Sequence, residues 1–594
     1  MKELAYLNKY FLKYKGLLLL GILFTIISNL FGIIPAQIVR HALELVETNV
    51  DHYFLFRHSG FQPVTYKTLT FGITVLGGLI ILMAVIKGVF LFAVRQTLIV
   101  MSRHIEYDLK NEIYAHYQTL PLAFFKRNTT GDLMARISED VSKVRMYLGP
   151  AIMYLLNMFV LVVLVLTYMF SVNARLTWYV LIPLPLLSLS IFIVSSIINR
   201  RSERIQKSLA NLSTNAQETY SGIRVIKSFA AEDKFYEQFE KESLKYQYES
   251  LKLARVDSLF HPLMIFLIGL STIICVFVGG QEVISGKISL GVIAEFVMYV
   301  FMLTWPMAAL GWTSGQIQRA AASQKRINEF LTLQNDILPH RNIPMDVEGD
   351  IRFRNVSFTY PDTGIRALDN VSLHIRAGQS VAIIGTTASG KSTLANLLLR
   401  LYDIEEGEIE IDGINLKDLD LSHYKAQVGY VTQEVFLFSD TISNNIRFGR
   451  ENATDEEVIS AAKDAEVYKN IMDFPDGFNT KVGERGITLS GGQKQRVSIA
   501  RAIIREPRIL ILDDSLSAVD TVTENHILNN LKRIMEGRTT ILISHRVSNA
   551  RLADKIILMD EGRIVDTGTH EELLQRGGLY AELHEKQEAQ LMES

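Results

Sequence analysis

The sequence contains a single cysteine, Cys275, among 594 residues. One cysteine excludes disulfides and cysteine-based metal sites within a single chain. Charge of either sign is also not in excess, because the formal net charge is only -2. A protein that binds nucleic acid needs a basic surface, so nucleic acid is not expected as a partner. What the chain does have is apolar residues: its mean hydropathy is +0.17, high for a soluble protein.

These apolar residues are concentrated in the first 310 positions, in six uncharged or nearly uncharged runs. Each run is long enough to cross ~30 Å of hydrocarbon at about 1.5 Å per residue. The runs cover residues 17–36, 71–92, 149–170, 178–198, 260–279 and 290–310. The first half of the chain is therefore predicted to be a membrane domain of six transmembrane helices, which excludes a wholly soluble protein.

Basic residues mark which ends of these helices face the cytoplasm. They cluster after the second run and again after the fourth, whereas the loops on the other side hold few, such as Arg175 and Lys287. The excess of Lys and Arg on the cytoplasmic side predicts that the N-terminus and the second half of the chain are cytoplasmic. The first residues resemble neither a cleavable signal peptide nor a mitochondrial presequence, so a bacterial cytoplasmic membrane is the expected location.

Helical periodicity continues far beyond the apolar runs in both basic segments, so the second to fifth helices should extend into the cytoplasm. Turns are expected near residues 121–130 and 217–229, where Pro121, Gly131 and Gly222 interrupt the pattern. The predicted domains are a membrane domain at 1–330, a linker at 331–346 and a second domain at 347–594.

The second domain carries a glycine-rich loop between a predicted strand, residues 380–384, and a predicted helix, residues 393–401. The loop consists of Gly385, Thr386, Thr387, Ala388, Ser389, Gly390, Lys391 and Ser392. Small residues let backbone N–H groups surround phosphate oxygens, Lys391 supplies a positive charge, and the Ser392 hydroxyl can ligate Mg²⁺. This segment predicts binding of a nucleoside triphosphate.

A second glycine-rich turn lies about a hundred residues further on and opens a helix expected over residues 494–505. It consists of Leu489, Ser490, Gly491, Gly492 and Gln493. A helix N-terminus of this kind attracts anions. The buried-strand run 509–512 then ends in Asp513 and Asp514, where a carboxylate can hold Mg²⁺, and the run 540–544 leads to His545.

The order of these elements resembles the ATP-binding cassette of ABC transporters, and the resemblance covers essentially the whole chain. It implies that Tyr360 stacks on adenine, that Gln433 is the Q-loop glutamine, that residues 517–520 are the D-loop, and that His545 is the switch histidine. It implies an α/β P-loop NTPase domain after a type I exporter membrane domain. ATP and Mg²⁺ are then the expected cofactors.

Site roles follow from the same resemblance. Asp514, His545 and Gln433 are the expected catalytic residues, and Ser392, Gln433 and Asp513 the expected Mg²⁺ ligands. The expected nucleotide-binding residues are Tyr360, the loop from Gly385 to Ser392, Thr393, and the turn from Ser490 to Gln493. The resemblance also implies that the turns at 121–130 and 217–229 form short helices that dock on cassettes.

Two residues depart from the family pattern. Ala388 stands where many members have glycine, and little effect on phosphate binding is expected because alanine is the smallest residue with a Cβ. Asp514 stands where active cassettes usually have glutamate, the residue thought to polarise the attacking water. Aspartate is one methylene shorter, so Asp514 is either a slower base with a compensating loop or part of a degenerate site.

The predicted function is ATP-driven export of hydrophobic or amphipathic compounds, drugs or lipids, by a dimer of half-transporters in contact with membrane lipids. The weakened Asp514 beside an intact Ser490 turn favours a heterodimer in which this chain carries the degenerate site. One alternative is a homodimeric lipid or peptide exporter that uses Asp514 as its base. An ATP-gated channel is an alternative of another class.

The cargo is not apparent from the sequence. Lys87 and Glu295 are charged residues inside membrane spans; we expect Lys87 to reach the inner headgroups and Glu295 the outer interface. Phe296, Tyr299 and Trp305 on the sixth span could line an apolar cavity, but their spacing favours helix packing.

Overall fold

A computed structural model describes residues 2–56, 61–483, 486, 489–515, 530 and 532–593. The chain divides into two compact units. The first comprises Met1–Gln118 and Gly131–Leu333, and the second comprises Thr119–Thr130 and Gln334–Ser594. The second unit thus includes a short segment that interrupts the first in sequence.

In the part of the first unit that the structure describes, six helices are long and apolar enough to cross a membrane, as predicted. The first to sixth membrane helices are Lys15–Leu55, Gln62–Thr119, Thr130–Val172, Ala174–Ser221, Glu232–Ile284 and Leu290–Leu331. Two shorter segments precede them, a 3-10 turn at Lys2–Leu7 and a helix at Asn8–Lys13. With 41 to 58 residues, every membrane helix is longer than the ~20 residues that a bilayer requires.

Local irregularities interrupt the second, third and fourth membrane helices. The second helix contains a π-helical turn at Arg95–Ile99, and the third contains two, at Arg136–Asp140 and Tyr147–Ala151. The fourth consists of Ala174–Leu181 and Pro183–Ser221. Short helices lie where turns were predicted: Leu122–Arg127 follows Pro121, and Ile223–Ser228 follows Gly222.

Phe296 and Tyr299 belong to the buried core of the membrane unit. Both side chains are fully buried, and their ring centroids lie 6.5 Å apart. They share this core with Cys275, Val165 and Met169. These two residues therefore pack between helices, as their spacing in the sequence predicted. The Trp305 side chain lies outside the described part of the chain.

The expectation for Glu295 is wrong. Its side chain is 0% exposed and does not reach an interface. Its carboxylate accepts a hydrogen bond of 2.9 Å from the Tyr299 hydroxyl and lies 3.5 Å from the Arg40 guanidinium. Because partners of suitable chemistry stand next to it, Glu295 can remain in the core.

The expectation for Lys87 is also wrong. The Lys87 ammonium lies beside Gly32 of the first helix, where a Cβ built on the glycine would come within 3.2 Å of the Nζ. The Lys87 carbonyl lies beside Ser28, whose hydroxyl donates to it at 3.4 Å. Ser28 is one helical turn nearer than Gly32 to Lys15, the end of the first helix that is predicted to be cytoplasmic. The ammonium thus points away from the end of the helix that is predicted to be cytoplasmic. The reason is that helical side chains lean towards their own N-terminus.

The described residues of the second unit form two sheets. Their strands are β1 Ile351–Thr359, β2 Arg366–Ile375, β3 Ser380–Gly385, β4 Glu406–Ile411, β5 Ile414–Asn415, β6 Val428–Val431, β7 Ile509–Asp513, β8 Thr539–Ile543, β9 Lys555–Asp560 and β10 Arg563–Gly568. An antiparallel sheet has the order β2-β1-β4-β5, and a larger sheet has the order β10-β9-β3-β8-β7-β6. Strands β9, β3, β8, β7 and β6 are parallel, so their carboxyl ends share one edge.

Helices flank these sheets. They are Lys391–Leu398, Leu421–Ala426, Ile442–Arg447, Asp455–Asp464, Tyr468–Met472, Gly491–Ile503, Val547–Ala550, His570–Arg576 and Leu579–Glu593, with a 3-10 turn at Gly477–Asn479. The helix that follows β3 packs in one apolar core, with Leu394 and Leu398. Helix Gly491–Ile503 packs in another, with Val497 and Ile499.

Candidate functional site

The glycine-rich loop leaves the carboxyl end of β3 and leads into helix Lys391–Leu398. Two of its glycines are required by close packing. A Cβ on Gly385 would collide with the Met559 carbonyl oxygen, and a Cβ on Gly390 would collide with that of Ala367. Gly390 also has φ of 93°, which residues with a side chain rarely adopt. The sequence therefore forms a tight strand, loop and helix, as predicted.

Ala388 occupies a position in this loop where its own backbone is strained. Its φ is 66°, in the left-handed region that costs an L-residue about 1–2 kcal/mol. The sequence-based expectation considered only the size of the side chain. The structural difference from glycine at this position lies instead in the backbone.

Lys391 is buried, with 5% of its surface exposed, and its ammonium lies within the loop. The Nζ donates to the carbonyls of Gly385 at 3.0 Å and Thr386 at 2.6 Å, and to the Ser389 hydroxyl at 3.2 Å. Burial lowers the pKa of Lys391, and the carboxylates of Asp513, Asp514 and Asp560 oppose that shift. These contacts hold a cation inside the loop whose backbone N–H groups can bind phosphate oxygens.

Ser392 and Asp513 form the polar pair at this edge of the sheet. The Ser392 Oγ donates to the Asp513 Oδ1 at 3.0 Å, and Asp513 is 3% exposed. Burial and the neighbouring Asp514 raise the pKa of Asp513, while Ser392 and Lys391 lower it. The Ser392 hydroxyl and the buried Asp513 carboxylate fit a Mg²⁺ ion, because Mg²⁺ is bound by oxygen ligands together with substrate phosphates. Its positive charge would also offset the cost of burying the carboxylate. Within the described ranges, no group of three or more His, Cys, Asp or Glu side chains forms a protein-only metal site.

Asp514 and His545 follow the neighbouring strands β7 and β8. Asp514 has φ of 44°, and its N–H donates to the Ile543 carbonyl at 2.9 Å. His545 is half-buried. Burial and the Lys391 charge lower its pKa, whereas Asp514 and a hydrogen bond to the Gly385 backbone raise it. The structure thus brings Lys391, Asp513, Asp514 and His545 into one electrostatic cluster.

Gln433 and Tyr360 lie in loops at the ends of other strands. Gln433 follows β6 and is exposed. Tyr360 follows β1, and its hydroxyl shares a hydrogen bond of 3.0 Å with Thr393 in the helix after the glycine-rich loop. The Tyr360 ring meets Phe358 and Tyr402 edge to face, at centroid distances of 4.9 and 5.4 Å.

The second glycine-rich turn begins its helix earlier than predicted. The helix spans Gly491–Ile503, and Ser490 is its N-cap. The Ser490 Oγ accepts from the Gln493 N–H at 3.3 Å, and the Gln493 Oε1 accepts from the Ser490 N–H at 2.9 Å. This reciprocal capping box explains why the helix includes both glycines, and it leaves Ser490 exposed at the helix N-terminus. The predicted D-loop, residues 517–520, lies outside the described residues.

Sequence reasoning missed two residues beside the site. Asp560 ends β9, next to β3, and accepts a hydrogen bond of 2.6 Å from the Thr386 hydroxyl in the glycine-rich loop. Its place at a strand's carboxyl end could have identified it. Lys126, whose Nζ lies 5.1 Å from the centroid of the Tyr360 ring, had no local signal because 234 residues separate the two.

Comparison with known proteins agrees with this geometry. Residues 18–307 match the family described as ABC transporter transmembrane region, and residues 368–517 match the family described as ABC transporter. A probable multidrug resistance ABC transporter ATP-binding/permease protein of Bacillus subtilis (strain 168) is 39% identical over 483 residues, 81% of this chain and 82% of that protein. This chain belongs to the ABC transporter family.

Other relatives of this ABC transporter cover a similar share of its length. An ATP-dependent lipid A-core flippase of Syntrophus aciditrophicus (strain SB) is 36% identical over 512 residues, 86% of this chain and 84% of that protein. The solved structure of a bacterial Atm1-family ABC exporter with ATP bound has a TM-score of 0.75 and 26% identity, and the match covers 98% and 99% of the two chains. The protein is thus a multi-pass ABC half-transporter of the type I exporter fold that couples ATP hydrolysis to transport and functions as a dimer.

Proposed function

We propose that this half-transporter exports hydrophobic or amphipathic compounds as one subunit of a heterodimer in which its own ATP site is the slow one. The supporting observation is the contrast between Asp514 and Ser490. Asp514 carries a carboxylate about an ångström short of the usual glutamate, whereas Ser490 caps an intact helix N-terminus. A displacement of about an ångström can cost on the order of a hundredfold in rate.

Nucleotide binding is assigned to the carboxyl edge of the large sheet. Tyr360 would stack on adenine, backbone N–H groups between Gly385 and Thr393 would hold the phosphates, and Lys391 would exchange its carbonyl contacts for phosphate oxygens. Ser392, Asp513 and Gln433 would hold Mg²⁺. When bound, that ion neutralises charge on the phosphates.

Two features support a site shared between two chains. The glycine-rich loop and the Ser490 turn belong to helices that pack in different apolar cores of the cassette. The segment around helix Ile223–Ser228 exposes apolar side chains, with Tyr220 74% and Phe229 79% exposed. Such a surface is costly in water and supports docking on a partner's cassette.

Export of apolar or amphipathic cargo is supported by the chemistry of the membrane unit and by its relatives. Its spans offer apolar and aromatic surface with few fixed charges. The relatives include a probable multidrug resistance transporter and a lipid A-core flippase. The basic segments support a cassette on the cytoplasmic side, and the bacterial relatives support a bacterial cytoplasmic membrane. The alternatives remain a homodimeric lipid or peptide exporter and an ATP-gated channel.

The decisive experiment compares this chain alone with this chain beside a related half-transporter from the same organism. ATP turnover is measured for wild type, Asp514→Ala, Asp514→Glu and Ser490→Ala, with the exposed Asp473→Ala as the control. In the pair, Asp514→Ala should change turnover little, whereas Ser490→Ala should abolish most of it.

A chain that turns over ATP as fast alone as in the pair, and loses that activity with Asp514→Ala, is a homodimer that uses aspartate as its base. Uptake of a hydrophobic dye into inside-out vesicles against its gradient, dependent on ATP, separates a pump from a channel.

A further inference from the structure

Lys87 is an isolated charge near the middle of the first two membrane helices. Lys87 lies on the second helix and is next to Gly32 of the first helix. The charged residue nearest to Gly32 along the first helix is Arg40, eight residues away. The charged residue nearest to Lys87 along the second helix is Arg95, also eight residues away. Each separation is about 12 Å at 1.5 Å per residue. Because these helices run antiparallel, the two arginines lie on opposite sides of Lys87. The lysine is therefore central in an uncharged layer nearly as thick as the ~30 Å hydrocarbon core of a bilayer.

The Lys87 side chain does not leave this layer. Its Nζ lies beside Gly32, where a Cβ would come within 3.2 Å of the ammonium. The missing side chain of Gly32 makes the notch that the ammonium occupies. The nearest charge on the predicted inner side is Arg95, about 12 Å away along the second helix, and the ammonium points away from it.

Nothing in the described part of the chain neutralises this charge. Lys87 is exposed, and its side chain makes no hydrogen bond or ion pair with a described residue. A charge at the centre of a bilayer is expensive and is retained for function, with a partner of opposite sign. The missing partner must come from outside the described chain.

Aromatic side chains lie near Lys87 and Gly32 along the two helices. Phe31, next to Gly32, stacks on Phe90 of the second helix, with centroids 6.2 Å apart and an interplanar angle of 2°. Phe24 lies 6.0 Å from the same Phe90 ring. Since Phe90 is three residues from Lys87, the cation and the rings share one face of the helix. A cation beside an apolar strip is complementary to a molecule with an anionic head and a hydrocarbon chain.

We propose that Lys87 binds the anionic headgroup, a phosphate or a carboxylate, of an amphiphile whose hydrocarbon chain lies along Phe24, Phe31 and Phe90. This inference rests on the proposed export function and narrows its amphipathic ligands to acidic ones. Such an amphiphile is either cargo or a resident lipid of the bilayer, and both supply the same chemistry.

Binding is tested by native mass spectrometry on the full-length transporter, titrated with dioleoyl phosphatidic acid and, separately, with the neutral dioleoylglycerol. The variants are Lys87→Met, which keeps the length and removes the charge, Lys87→Arg, and the matched control Lys67→Met on the same helix. We expect Lys87→Met to weaken phosphatidic acid binding about tenfold and to leave dioleoylglycerol binding unchanged. Lys87→Arg and Lys67→Met should bind like wild type.

Equal binding of phosphatidic acid by wild type and Lys87→Met overturns the proposal, as does an equal loss in Lys67→Met. A carboxylate of the partner subunit on Lys87 would produce the first of these results. ATP-driven movement of a fluorescent short-chain phosphatidic acid in vesicles then separates cargo from resident lipid. If the transporter moves neither this lipid nor the hydrophobic dye but still binds phosphatidic acid through Lys87, the proposed export function is refuted and the binding site is retained.

Discussion

The ammonium of Lys126 lies 5.1 Å from the centroid of the Tyr360 ring and 5.6 Å from that of Tyr402. Lys126 belongs to helix Leu122–Arg127, which joins the second and third membrane helices in the sequence. Arg127 in this helix also donates a hydrogen bond of 2.5 Å to the Pro361 carbonyl. Helix Leu122–Arg127 therefore contacts the Tyr360 ring, which we propose stacks on adenine.

We expect Lys126→Met to weaken ATP binding about two- to fivefold, the range of a cation–π contact at a partly exposed site. Lys126→Arg, which keeps the charge, should restore it. The measurement is the dissociation constant of a fluorescent ATP analogue. In a double-mutant cycle with Tyr360→Leu, the two changes should be less than additive, because both remove the same contact. Fully additive effects would show that Lys126 acts elsewhere.

Ala388→Gly should stabilise the cassette, because Ala388 has φ of 66°. Relief of left-handed strain gains about 1–2 kcal/mol, and the added freedom of glycine in the unfolded chain takes back about 0.5–1 kcal/mol. The expected net gain of about 0.5–1 kcal/mol is measured from the cassette's unfolding midpoint in denaturant. Ala395→Gly, inside helix Lys391–Leu398, is the matched control and should lose about 1 kcal/mol. Shifts of the same sign for both variants would contradict the strain at residue 388.

His545 should make the cassette less stable in mild acid. Burial and Lys391 hold the pKa of His545 below its ordinary 6.5 in the folded chain, so the unfolded chain takes up a proton first as the pH falls. Stability is then full above pH 6.5 and declines below it. Unfolding midpoints at pH 7.5, 6.5 and 5.5 should fall less steeply in His545→Gln than in wild type. An unchanged slope in His545→Gln would refute this account.

Glu295→Ala should destabilise the membrane unit by about 1–3 kcal/mol. The substitution removes the acceptor of the buried Tyr299 hydroxyl and one of the carboxylates beside Arg40. Glu295→Gln keeps an acceptor for Tyr299 and should lose less. Thermal inactivation of the detergent-solubilised protein is the measurement, with the exposed Glu47→Gln as the control. A wild-type inactivation temperature for Glu295→Ala would contradict a structural role for the buried carboxylate.

The six membrane helices and the strand, loop and helix around Lys391 were predictable because their signals are local. A run of apolar residues defines a span by its length, and small residues after a buried strand define a phosphate loop. The helix of the Ser490 turn was placed three residues late. The Ser490–Gln493 capping box was itself visible in the sequence and could have corrected it.

The sequence by itself therefore determined the class of this protein, its six spans and the residue types of its nucleotide site, all of which depend on neighbours along the chain. The tertiary structure decided that Glu295 is buried beside Tyr299, that Lys87 lies beside Gly32, and that Asp560 supports the glycine-rich loop. It also placed Lys126 over a ring 234 residues away. The physical reason is that burial and electrostatic partners come from packing between distant segments, and a periodic pattern records which face of a helix is apolar but not what that face meets.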